Sequence, residues 1–159
     1  MLNKKGFTLI EVLVVITIIG ILAIMILANF GPSREKARDV QRKTDLNQIK
    51  TSLALYYSIW GRYPDGSGGN IVGCGTAALP TSCTWGNVWS RDSVVYMKLM
   101  PSDPLAPNQK YSYTRSDNNS FTIKALLENK LDKDIVTGQV RCGACSPAEV
   151  DSCYVVCQD

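Results

Sequence analysis

From Phe7 to Ala28 the chain is apolar at every position except Thr8, Glu11, Thr17 and Gly20. A run of about 20 such residues matches a hydrocarbon core of roughly 30 Å. Val12, Val14, Val15, Ile16, Ile18, Ile19, Ile21, Ile24 and Ile26 are β-branched, a composition that favours strands in water. In lipid the backbone has to satisfy its own hydrogen bonds, so a single span is a helix. The pattern predicts one transmembrane helix. After Pro32 the chain turns polar but keeps a period: Ala37, Val40, Leu46, Ile49, Leu53, Tyr56 and Trp60 recur mostly three or four residues apart. That spacing predicts an amphipathic helix, with Ser33 as its cap and Gly61 as its stop. If Phe7 to Trp60 is nearly continuous, the element is about 80 Å long. No domain of this size encloses such a helix, so half of it belongs in a membrane or in a bundle of its own kind. A kink or melted stretch is expected between Gly20 and Pro32.

The remaining residues, 62–159, suffice for one small domain that borrows the second half of the helix for its core. Arg62 to Gly69 has the composition of a loop. Ser90 to Met100 is expected to be a short helix ended by Pro101 and Pro104. Lys110 to Thr114 and Ser120 to Leu126 alternate like half-buried strands, and Asp117-Asn118-Asn119 supplies the turn of a hairpin. Val140 to Cys142 and Tyr154 to Cys157 are expected to add short strands. The fold class is α+β, a long helix on a small antiparallel sheet.

Charge changes the picture at two places. Glu11 stands inside the apolar run, where an ionised side chain costs roughly 2.5–3.5 kcal/mol on insertion scales. Such a charge either snorkels to the interface or serves to find a partner. Arg34, Lys36, Arg38, Arg42 and Lys43 outnumber Lys4 and Lys5, and by the positive-inside rule they would hold the C-terminal part in the cytoplasm. Six cysteines, all C-terminal to the apolar run, argue for the outside instead. The basic run is expected to solvate a stalk and to pair with Glu35, Asp39 and Asp45 on neighbouring turns. A nucleic-acid- or lipid-facing patch is the alternative, and nothing else in the sequence supports a nucleic-acid partner.

Cys74, Cys83, Cys142, Cys145, Cys153 and Cys157 form an even set that reads as disulfides stapling a loop-rich head. Cys74 with Cys83 is the natural local loop, and the other four pair in any of three ways. A zinc site on Cys142-x-x-Cys145 and Cys153-x-x-x-Cys157 is the competing reading. The gap between those pairs is short for a zinc ribbon and the chain has no histidine, so no metal and no cofactor are expected. Asp132-Lys133-Asp134 lacks the remaining ligands of a calcium loop and reads as a solvated turn. Asn118-Asn119-Ser120 is a glycosylation sequon by rule only. Trp60, Trp85 and Trp89 are expected to fill the core rather than line a patch. Without histidine, a phosphate-binding glycine loop or a nucleophile elbow, the chain is not expected to be an enzyme.

The order of parts at the N-terminus is specific. A basic leader, Met1 to Gly6 with Lys4 and Lys5, is followed by Gly6-Phe7-Thr8-Leu9-Ile10-Glu11 and then by the apolar stretch. An ordinary signal peptide has a shorter apolar core and a small-residue cleavage site after it. The segment resembles the class III signal of type IV pilins and type II secretion pseudopilins. That resemblance implies a prepilin peptidase that cuts after Gly6 and methylates the new amine of Phe7, with the apolar helix retained. It places the family's conserved glutamate on Glu11 and its helix-loosening glycine on Gly20. Many family members carry a proline where this chain has Ala28; here the first proline is Pro32. Tyr63-Pro64 and Leu99 to Pro104 also look like the family pattern, more loosely.

Cleavage after Gly6 would put an ammonium group at the end of an apolar helix, one turn or about 6 Å from Glu11. A neighbour shifted axially by one turn would bring its amine to this carboxylate, so Glu11 and Phe7 are the expected assembly pair. The organisation implied is a cleaved leader at 1–6, a membrane and filament-core helix at 7–31, an amphipathic half at 32–61 and a stapled head at 62–159. The function implied is a structural subunit of a type IV pilus, held in the cytoplasmic membrane as a single-pass precursor with its head outside and then built into an extracellular filament. Its partners would be copies of itself, the membrane, the prepilin peptidase, an assembly platform and a motor ATPase. A pseudopilin of a secretion or DNA-uptake system is the alternative; a membrane-anchored zinc or adhesin domain is more distant.

Overall fold

The structure, a computed structural model, describes residues 6, 8–27, 30–143 and 145–158. It divides into two compact units, Met1–Glu35 and Lys36–Asp159. The leader through residue 5 and Phe7 lie outside the described residues. In the first unit, α1 (Leu9–Leu27) runs through Gly20 without a break. Among the described residues no helix is long and apolar enough to cross a membrane. The apolar run of the sequence begins before α1, at Phe7, and ends after it, at Ala28. α2 (Phe30–Trp60) opens with Pro32 in its first turn, where a missing N–H breaks no helical bond. Ala28 and Asn29, in the interval where a kink is expected, lie outside the described residues.

The second unit is built on α2. Its buried positions are Asp39, Arg42, Asp45, Leu46, Ile49, Ser52, Leu53 and Tyr56, each three or four residues from another of the set, so that they form one stripe. Ala37 and Val40, expected on that stripe, are both exposed, Val40 at 56 %. The stripe is apolar only from Leu46 onward; before that the same face is carried by charge.

Seven strands follow α2 before the third helix. β1 (Asp65–Ser67), β2 (Asn70–Gly75), β3 (Pro80–Ser82), β4 (Trp89–Arg91) and β5 (Val94–Met97) make a mixed sheet in which β2 pairs antiparallel with β1 and β3 and parallel with β4. The segment expected to be only loop therefore contains β1, which turns into β2 through Gly68 and Gly69, both at positive φ. Ser90 to Met100 is not a helix. Asp92, at φ 51°, turns β4 into β5, and the β-branched pair Val94-Val95 suits a strand better than a helix. The second sheet is β6 (Ser112–Asp117), β7 (Ser120–Leu126) and β8 (Cys153–Cys157), antiparallel throughout, with the expected hairpin at Asp117 to Ser120. Val140 to Cys142 is not a strand but the last turn of α3 (Lys133–Cys142). That helix starts at Asp132, whose carboxylate accepts from the backbone N–H of Asp134 at 3.0 Å, so the supposed solvated turn is an N-cap.

Alternation on the second sheet sorts two cores. Phe121, Ile123 and Ala125 of β7 and Val156 of β8 join Leu46, Ile49, Leu53 and Tyr56 of α2 in the main core. Cys153 and Val155 point the other way, with Cys145 and the half-buried Leu126 and Cys142. Trp89 is fully buried and Trp60 and Trp85 pack against the same core, where the Trp89 indole donates to the Gly73 carbonyl at 3.1 Å.

The contact between α3 and β8 rests on Gly138, where an added Cβ would lie 2.6 Å from the Val155 carbonyl oxygen. In an ordinary helix interior, replacing Gly by Ala stabilises by about 1 kcal/mol. Here the sign is expected to reverse: Gly138→Ala lowers the thermal unfolding midpoint of the full chain, and a midpoint at or above that of the wild type contradicts the packing described.

Candidate functional site

Thr8, Leu9, Ile10 and Glu11 open α1 as Ncap, N1, N2 and N3. The Thr8 hydroxyl accepts from the Glu11 N–H at 3.3 Å, and Glu11 Oε2 accepts from both the Thr8 N–H and the Thr8 hydroxyl at 2.8 Å. This is a capping box, in which two otherwise orphaned backbone donors are satisfied reciprocally. Both bonds to the carboxylate use Oε2; Oε1 takes none among the described residues. The T-x-x-E spacing that encodes it is legible in the sequence, although family resemblance draws attention to the glutamate alone. Around it, every described side chain from Thr8 to Ile24 is exposed, so the helix presents apolar surface on all sides. Gly6 is exposed and lies outside the helix, and an added Cβ at Gly20 would meet nothing within 4 Å.

The second unit carries a site that the sequence reading gave only in part: the expected pairing of Arg42 with Asp39 on the neighbouring turn is present, but the partners from distant segments were missed. Arg42 is completely buried on α2. Its Nε and Nη2 donate to the two oxygens of Asp103 at 2.8 and 3.1 Å, a bidentate pair. Nη1 donates to Asp39 at 2.8 Å and to Glu128 at 2.7 Å, and Nη2 also reaches Gln109 at 3.0 Å. Asp39 in turn accepts the backbone N–H groups of Glu128 and Asn129, both at 2.9 Å. Arg38 binds Glu128 at 2.5 and 2.7 Å, while Lys43 sits between Asp132 and Asp134 at 2.6–2.7 Å. Asp45 accepts from the Tyr111 hydroxyl at 2.6 Å. Arg38, Arg42 and Lys43 therefore do not merely solvate a stalk. They clamp α2 to the segments 103–109 and 128–134. The legible signal was Asp39 and Arg42 continuing the buried stripe, opposite charges one turn apart.

These contacts set the protonation of the clamp. Burial works against the Arg42 guanidinium, but its carboxylate partners outweigh that and raise its pKa well above the usual range. The Arg38 hydrogen bond, helped by Arg42, holds Glu128 down at about 2. Burial pushes Asp45 upward, with the Tyr111 hydrogen bond opposing and Asp103 reinforcing.

All six cysteines are joined: Cys74 to Cys83, Cys142 to Cys157 and Cys145 to Cys153. The thiolates a zinc site needs are thereby used. The two C-terminal bridges fasten α3 and the chain after it to β8. A closed loop of about 15 residues, the span of Cys142–Cys157, is worth about 3 kcal/mol through the entropy it removes from the unfolded chain.

Comparison with known proteins bears on this arrangement. Residues 1–27 match the family described as the prokaryotic N-terminal methylation motif. The type II secretion system core protein G of Aeromonas hydrophila is 36 % identical over 64 % of this chain and 68 % of its own length. That of Vibrio cholerae is 32 % identical over 70 % of this chain and 72 % of its own. The chain belongs to the type IV pilin and type II secretion pseudopilin family. The type IV major pilin protein PilA of Myxococcus xanthus is 38 % identical over 40 % of this chain and 29 % of its own length. No solved structure matches. A helix followed by antiparallel and mixed sheet is the α+β pilin arrangement, and the chain is a structural subunit of the pilus or pseudopilus class.

Because Glu128 has a depressed folded-state pKa, its contribution to stability is complete above the ordinary carboxylate value of 4.5 and disappears as pH falls through about 2. Asp45 has the opposite sign, since its raised pKa means that protonation favours the folded state. Chemical denaturation across that interval is expected to show stability falling with acid, and Glu128→Gln is expected to flatten the fall. Parallel profiles for variant and wild type below pH 4.5 would remove Glu128 from the clamp.

Proposed function

We propose that this subunit is cut after Gly6, methylated on Phe7 and assembled with copies of itself into a type IV pilus whose core is α1. The observation that carries the reading is the apolar surface of α1 on every side, exposed from Leu9 at 82 % to Ile24 at 70 %. A helix apolar all round needs lipid or other helices as its surroundings. Before assembly the membrane provides them, with the head outside the cytoplasm; in the filament neighbouring copies do. The peptidase, platform and motor are the partners such a route requires.

The capping box supports a defined role for Glu11. Thr8 occupies Oε2 and so fixes the carboxylate at the start of the helix, while Oε1 is left for the ammonium of a neighbouring Phe7. Two buried charges that would each be penalised alone are relieved when paired. Pairing of this kind registers one subunit against the next by one helical turn.

A pseudopilin of a secretion system is the second reading, favoured by the longer coverage of the core protein G relatives than of the pilin. The three disulfides in the head favour a fibre exposed outside the cell, where covalent staples resist unfolding. Long surface filaments containing this chain as their main component support the pilus; short assemblies confined to the envelope support the pseudopilus.

Mass spectrometry of the mature protein is expected to find N-methylated Phe7 as its first residue. Glutamine also completes a capping box, so Glu11→Gln separates charge from capping. Sheared filaments are expected to be lost from both Glu11→Gln and Glu11→Ala, whereas normal yield from Glu11→Gln would refute charge pairing and leave capping as the role of the residue.

A further inference from the structure

A groove of about 380 Å³ opens on the second unit between α2 and the turn end of the β6–β7 hairpin. Lys50, Ala54 and Tyr57 form one wall, at i, i+4 and i+7 on a single helical stripe. Ala54, the smallest of the three, is exposed. Half-buried Tyr57 is the aromatic ring that the groove exposes; behind it Tyr63, with ring centroids 4.8 Å apart, and Phe121, edge-on to Tyr63 at 4.6 Å, are buried in the core. Asn119 lines the opposite rim and Gln158 closes one end. The Tyr57 hydroxyl donates to Asn119 Oδ1 at 3.0 Å, which fixes the amide with its Nδ2 hydrogens left as donors.

We infer that this groove is a saccharide-binding site that takes a neutral pyranose ring. A pyranose has C–H groups on its faces and hydroxyls on its edges. Its faces suit the ring of Tyr57, and its edges suit the amides of Asn119 and Gln158. The volume falls within the range of small-ligand sites, roughly 300–1,000 Å³. An extended peptide is disfavoured, because strand addition needs an unpaired edge. β7, which carries Phe121, is paired on one side with β6 and on the other with β8. The Tyr63 N–H is also taken, by the Asn118 carbonyl at 2.9 Å. A phosphorylated ligand is disfavoured too, since Lys50 is the single cation among the lining residues. The site does not depend on the assembly reading: it lies within the second unit and uses nothing from α1.

Saturation-transfer NMR tests the assignment with the full chain in zwitterionic dodecylphosphocholine micelles, which carry no sugar headgroup. The probes are the methyl glycosides of glucose, galactose and N-acetylglucosamine, with tetra-alanine as the peptide arm. Transfer into the ring C–H protons of at least one glycoside is expected. Ala54→Phe fills the groove from an exposed position and is expected to weaken binding roughly tenfold with the thermal midpoint unchanged. Should that variant unfold early, Asn119→Ala, on the exposed turn, carries the same comparison. No transfer from any glycoside, equal transfer in the filled variant, or transfer from tetra-alanine alone would each overturn the proposal.

Discussion

The second unit depends on the buried cation of Arg42. Arg42 is enclosed on α2 and three carboxylates converge on it, from its own helix, from residue 103 and from residue 128. Desolvating a guanidinium costs several kcal/mol, and the cost is met only where geometry and additional hydrogen bonds are both good. Here they are: the Asp103 pair is bidentate, and Asp39 also accepts the backbone N–H groups of Glu128 and Asn129. Removing the cation would leave three acids in one poorly hydrated site. The clamp therefore joins a helix to two distant loop segments through directional contacts, which specify a single register where a greasy contact would tolerate sliding.

Along α2 the means of attachment changes in the order of the chain. Arg38, Arg42 and Lys43 hold the first turns of the second unit by charge, then Asp45 passes the load to Tyr111. From Leu46 the contact is apolar, and it ends in the aromatic cluster of Tyr56, Trp60, Trp89 and Tyr96, with ring centroids 5.1–6.1 Å apart. The far side of the second sheet has little apolar area of its own, and there two disulfides and the close approach at Gly138 replace a conventional core. Three kinds of interaction thus hold one small head, each placed where the others are weak.

α1 poses the opposite problem, because every one of its described side chains from Leu9 to Ile24 is exposed. Its surface is suited to lipid and to other copies of itself, and the lone carboxylate is held at the helix start by Thr8 rather than left adrift. A residue conspicuous for its cost proves to have a local reason, capping, alongside the proposed intermolecular one. The capping role uses Oε2, and the proposed one would use Oε1.

The apolar helix near the N-terminus was legible because it is local. Apolar composition is read within a turn or two of chain, and the hairpin at Asp117 to Ser120 and the Cys74–Cys83 loop are local in the same sense; the T-x-x-E capping box is equally local but was overlooked. Segments decided by neighbours were not legible: Ser90 to Met100 became two strands because β2 offers β4 a parallel edge. Val140 to Cys142 became helix because Asp132 caps it and β8 receives Gly138. Sequence alone determined that the chain has an apolar helix, an amphipathic one and a head rich in cysteine. Only the tertiary structure decided which cysteines join and which charges are buried. The reason is that Asp103 and Glu128 lie tens of residues from Arg42, and such partners are chosen by the path of the whole chain rather than by spacing along it.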